Sequence, residues 1–144
     1  MTLTTEDKVE IQELCARIYL CIDGNDAAGF AAGFAEDGTF VAPYGEFTGT
    51  EAVRTFMEHH IAAGKEDGVR HFITNQIVDP HDDGAHYSFY ILKMNVVTGP
   101  VAIASAAGDS IVVKTADGWR FKRFQLIIDP AMFGADKPAL AKAT

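Results

Sequence analysis

Over the first 63 positions apolar residues recur at steps of three and four, and after position 68 the spacing drops to two. Ile11, Leu14, Ile18 and Ile22 share one face of a helix that Thr4 or Thr5 can cap, with Glu6 and Asp7 favourable in its first turn. Asp23-Gly24-Asn25-Asp26 stops that helix and caps a second over Ala27–Ala35, with Phe30 and Phe34 inward. Glu36-Asp37-Gly38 reads as a turn, Thr39–Ala42 as a short strand, Pro43-Tyr44-Gly45 as another turn and Glu46–Thr48 as a strand fragment. Thr50 caps a third helix, Glu51–Ala63, whose apolar side is Val53, Phe56, Met57 and Ile61. A polar loop, Gly64–Gly68, follows.

Period-two alternation then predicts strands over Val69–Val78, Ala85–Val97, Val101–Thr115 and Trp119–Asp129. The last two are joined by Ala116-Asp117-Gly118, which holds the Asp-Gly pair that tight hairpins favour. Three helices followed by a four-strand antiparallel meander predict an α+β fold, with helices on one face of a curved, mostly antiparallel sheet. Such a sheet wraps into a cone around a small-molecule cavity. One domain is expected over residues 1–144, with its core at about 5–129 and the tail, Pro130–Thr144, as a short helix or lid.

Composition narrows the partners. A net charge of −8 argues against nucleic acid and anionic membrane surfaces, both of which need a basic face. No apolar run approaches the roughly 18 residues of a membrane span. Cys15 and Cys21 lie six apart on one helix and point in different directions, so they cannot bridge; a reducing compartment, the cytoplasm, is the default.

The candidate chemistry centres on VRHFITNQ, Val69–Gln76. Alternation puts His71, Ile73 and Asn75 on one face and Phe72, Thr74 and Gln76 on the other. An imidazole among apolar strand residues needs a partner for each ring nitrogen or a reason to leave one free. Asp23, closing the first helix, is the partner expected: it would orient His71 as a general base, against the plainer alternative of a structural histidine bonded to a backbone carbonyl. Asp109, in the small-residue strand Ala106–Ile111, is either a pocket acid or an edge residue. Tyr19, Tyr44, Asn75 and Asn95 are further substrate-binding candidates, and Phe89, Ile91 and Phe133 candidate cavity wall. Lys93 could stand at the rim or in the cavity. His59 and His60 lack a second ligand set at metal-binding spacing, so no metal and no cofactor is expected.

The ordered chain resembles the SnoaL-like, nuclear-transport-factor-two-like cone superfamily. The resemblance rests on the Asp-Gly-Asn-Asp break, FAEDGTF (Phe34–Phe40), GEFTGTEAVRTFM (Gly45–Met57), RHFITN (Arg70–Asn75) and DGWRF (Asp117–Phe121). Its site pattern is similar to scytalone dehydratase and the hexachlorocyclohexane dehydrochlorinase, which have an Asp where Asp23 stands and a catalytic His where His71 stands. CIDG (Cys21–Gly24) is similar to bile-acid 7α-dehydratase. Asp109 falls where scytalone dehydratase has a substrate-contacting Asn and where ketosteroid isomerase has its oxyanion-hole Asp. Three departures count. Ala42 stands near the position of the ketosteroid isomerase base, Ile22 where scytalone dehydratase has a Tyr, and an apolar residue where the dehydrochlorinase has its lysine. The resemblance implies a cofactor-independent lyase of dehydratase type acting on a small, mostly apolar, cyclic substrate. Isomerisation, polyketide-type cyclisation and non-catalytic ligand binding are the alternatives. A homodimer or homotrimer is expected to bury the outer sheet face, with Phe72 and Leu126 or Ile128 in the contact.

Overall fold

The computed structural model describes residues 2–133; the rest of the expected tail lies outside the described residues. The element order is α1 (Thr5–Asp23), α2 (Ala27–Ala32), β1 (Phe34–Ala42), β2 (Gly45–Thr48), α3 (Thr50–Ala62), β3 (Val69–His81), β4 (Gly84–Asn95), β5 (Val101–Thr115) and β6 (Gly118–Ile128), then a 3-10 turn at Pro130–Phe133. The strands form one six-stranded sheet in the order β2-β1-β6-β5-β4-β3. Every pairing is antiparallel except β1 with β6, which is parallel. The sheet is curved and not closed, with the helices on its concave side. No described helix is long and apolar enough to cross a membrane.

Three local readings of the sequence are corrected. The second helix ends at Ala32, and Phe34 already belongs to β1. Glu36-Asp37-Gly38 is therefore no turn but an irregularity inside β1, where the register against β6 shifts between Phe34 and Thr39. Gly49, not Thr50, precedes the first turn of α3, and no side chain caps it. At α1 the expectation holds: Thr4 and Asp7 exchange side-chain and backbone bonds in a capping box.

Asp7 reaches further. It is buried, and its Oδ1 accepts from Lys114 Nζ (3.0 Å) and from Trp119 Nε1 (3.1 Å), pinning the start of α1 to the β5–β6 hairpin. The Thr4 backbone and Lys114 bonds hold its carboxyl well below the usual carboxylate range.

The core is aromatic. Phe121 and Phe124 are both fully buried with ring centroids 5.2 Å apart, and Phe40 lies 5.4 Å and Phe89 5.5 Å from Phe124. Two inward residues three apart on one strand require a bulge, and the β5–β6 register shifts at this point, between Ile111 and Val112. Beyond it, Leu126 and Ile128 face the hollow rather than the outer surface expected of them. Phe89 sits flat against β5 because its neighbour there is Gly108: a Cβ on Gly108 would lie 2.2 Å from the Phe89 ring. β3 carries a second bulge between Thr74 and Ile77, with Asn75 at φ +54°. This reverses the strand's phase, so Gln76 turns inward to accept a bond from the Tyr87 hydroxyl (2.5 Å) and Asn75 is exposed.

Two predictions follow from these contacts. Gly108→Ala displaces the Phe89 ring and lowers unfolding free energy by about 1–3 kcal/mol, read by denaturant titration. Asp7→Asn destabilises at neutral pH. Because the folded-state pKa is depressed, the stabilisation exists above the ordinary carboxylate value of about 4 and is lost as pH falls below it, so the difference in melting temperature from wild type narrows in acid.

Candidate active site

Tyr19 and Asp23 lie one turn apart near the end of α1 and face β3, where His71 is the third residue. His71 Nδ1 lies 2.7 Å from Asp23 Oδ1, while Asp23 Oδ2 accepts the backbone N–H of His71 at 3.2 Å. Both side chains are nearly buried, 7 % exposed for His71 and 14 % for Asp23. A carboxylate only accepts, so Nδ1 carries a proton, and in the neutral ring the lone pair is on Nε2. The Tyr19 ring packs 5.0 Å from the imidazole. Burial raises its phenol well above the ordinary value, with the negative charges of Glu66 and Asp23 adding to the shift, so it stays protonated.

On the far side of the imidazole is a group that sequence reasoning passed over as part of a polar loop. Glu66 is buried, 5 % exposed, in the turn between α3 and β3, which Gly64 (φ +76°) and Gly68 (φ +67°) bracket. Its Oε1 accepts from His60 Nε2 (2.8 Å) and from Lys93 Nζ (3.1 Å). Lys93 pairs directly with His71 across β3–β4 and also donates to the Lys65 carbonyl (2.8 Å). Glu66 Oε2 has no hydrogen-bond partner among the described residues and lies 3.6 Å from His71 Nε2. Burial alone would raise the Glu66 carboxyl; the His60 bond and then the charge of Lys93 outweigh it, and the net shift is downward.

Tyr19, His71, Glu66, His60 and Lys93 line a cavity of about 190 Å³, with Asp23 behind His71. Its wall is apolar: Ile22, Phe30, Phe40, Met57, Ile91, Leu126 and Ile128, with Ala104 and Ala106 leaving room on β5. Tyr44 is 60 % exposed and stands at the mouth, its ring 6.0 Å from Phe56. Partial burial, and then the charge of Glu66, raise its phenol pKa.

Of the residues singled out from sequence, His71, Asp23, Tyr19, Tyr44 and Ile91 meet here, and Lys93 joins them. Five others do not. Asn75 is turned outward by the β3 bulge. Asn95 caps a turn, accepting from Val97 N and Thr98 N. Asp109 lies on the outer sheet face, 2.5 Å from His86 Nε2. Phe89 is core beneath the cavity rather than wall, and Phe133 is 40 % exposed and away from it. The one sequence signal for the missed wall residues was the Phe121–Phe124 spacing, which sets the phase of Leu126 and Ile128. For Glu66 there was none.

This helix-backed, hollow sheet defines the class, the nuclear-transport-factor-two-like or cystatin-like cone. The chain belongs to the SnoaL-like domain family, whose model matches residues 3–125. It is similar to a cystatin-like-fold protein of unknown function from Nostoc punctiforme, at 29 % identity over 91 % of this chain and 97 % of that one, TM-score 0.81. It is also similar to Aln2 from Streptomyces sp., at 26 % identity over 94 % and 99 %, TM-score 0.78. A protein from Catenulispora acidiphila solved in complex with S-DNPA shares the fold at 24 % identity, covering 87 % and 95 %, TM-score 0.73. No curated protein matches the chain. A SnoaL-family enzyme or ligand-binding protein is what fold and pocket together define.

Proposed function

We propose that the protein is a cofactor-independent enzyme in which His71, oriented by Asp23, removes a proton from carbon in a small, mostly apolar, cyclic substrate, with dehydration as the overall reaction. The observation that carries this reading is the 2.7 Å Asp23–His71 bond at the wall of an open apolar cavity. A carboxylate on Nδ1–H fixes the tautomer and stabilises the imidazolium that forms when Nε2 accepts a proton. The Tyr19 phenol beside the ring can donate to an oxygen that gains charge as the C–H bond breaks. The cavity size suits a single-ring ligand, and its apolar wall favours a ring with few polar groups. Isomerisation and cyclisation begin with the same proton transfer, and the S-DNPA complex in this fold supports small-molecule binding as the coarser alternative.

Two simple probes separate these readings. Wash-in of deuterium beside the carbonyl of cyclohexanone reports proton removal alone, and formation of cyclohexenone from 3-hydroxycyclohexanone reports elimination. The wild-type protein is expected to catalyse both. His71→Ala should abolish both with the fold intact by circular dichroism, and Asp23→Asn should slow both by about 100-fold or more. Activity surviving in His71→Ala rules the base out; exchange without elimination favours an isomerase or cyclase.

Self-association is the accompanying expectation. The outer sheet face exposes Phe72, Ile77, Tyr90 and Leu92. Light scattering should give a dimer or trimer, and Tyr90→Glu should shift it to monomer; a wild-type monomer refutes this.

A further inference from the structure

His71 is flanked by carboxylates on both ring nitrogens, and only one of the two contacts is a closed hydrogen bond. Asp23 takes Nδ1–H at 2.7 Å, whereas Glu66 Oε2 faces Nε2 at 3.6 Å and is the atom of that carboxylate without a partner. With Nε2 unprotonated, both atoms across that gap are acceptors and gain nothing from each other. Once Nε2 takes a proton the ring is a cation beside an ionised, buried oxygen. Glu66 Oε2 is shut away from solvent, so it is placed to act on the imidazole rather than on a ligand in the cavity.

We infer that Glu66 is a positioning residue of this site, a second carboxylate that holds the imidazolium formed when His71 removes a proton. This rests on the reading of His71 as the base. The supporting cast is consistent: the bonds from His60 and Lys93 both fall on Oε1, leaving Oε2 for His71 and keeping the carboxylate charged. It also gives a reason for an ammonium at the rim of an apolar pocket. The proton balance is simple: the C–H electrons stay on the substrate, the proton goes to Nε2, and the cation so formed is stabilised by the charge on Oε2, 3.6 Å away. The charged or titratable groups that face the imidazole are Asp23 and Tyr19 from α1, Glu66 from the loop and Lys93 from β4, with His60 of α3 behind Glu66.

The test is Glu66→Gln, whose amide oxygen can keep the bonds from His60 and Lys93 while the charge goes. An NMR titration of the His71 ring in the ligand-free protein should show its midpoint at least about half a pH unit below wild type, since removing one of two carboxylates disfavours the cation. Glu66→Asp should recover part of that shift. Glu66→Gln with Lys93→Met, which removes the unbalanced ammonium, should still titrate below wild type. With cyclohexanone, kcat for deuterium exchange should fall about 10–100-fold while KM stays within about threefold. A midpoint that moves by less than half a unit or moves upward overturns the assignment, as does a double variant that titrates like wild type. Exchange that persists in His71→Ala removes the base instead, and leaves the Glu66 contact to be judged by the titration alone.

Discussion

The contact between Asp23 and His71 joins residues 48 apart in sequence, and it uses both carboxylate oxygens: one takes the ring N–H and the other the backbone N–H of the same residue. Two bonds from one side chain to one residue leave little freedom in where the end of α1 meets the start of β3. Helix and strand are thereby locked at the point where the cavity begins, and Tyr19, one turn earlier on the same helix, is brought against the imidazole. Most other features of the site serve to keep that contact buried, charged on one side and open on the other.

Keeping it open is a packing problem. A curved sheet backed by helices fills with side chains unless some positions are small. Ala104 and Ala106 on β5 leave the space, and Gly108 next along leaves room for the Phe89 ring in the core beneath it. Phe40 lines the cavity and packs on Phe124, which stacks in turn on Phe121 and ties that wall to the core. What results is a hollow with a mostly apolar wall, into which the polar groups around His71 also face.

Gathering charge in a buried place is expensive unless every member is paired. Here Glu66 shares one oxygen between His60 and Lys93, Lys93 spends a second donor on the Lys65 carbonyl, and Asp23 is doubly bonded. The one exception is the Glu66 oxygen beside Nε2. Buried acceptors without donors are rare in folded proteins, and this one faces the ring nitrogen that Asp23 leaves free.

The linear pattern was enough to specify the helices, the long strands, the hairpin at Asp117-Gly118 and the cone architecture, because periodicity and turn chemistry are local properties of the chain. It also pointed to His71 and Asp23, since an imidazole amid apolar strand residues needs a partner. What it could not decide was the phase of each strand after a bulge. One extra residue at Asn75 turned that side chain out and Gln76 in, and the shift near Phe121 turned Leu126 and Ile128 into the cavity. Nor could it show that Asp109 would meet His86 on the outer face, or that Glu66 in a polar loop would be buried between three cationic or hydrogen-bonding partners. Burial and pairing across 20 or more residues depend on how elements pack. The tertiary structure alone therefore selected which polar side chains share the pocket.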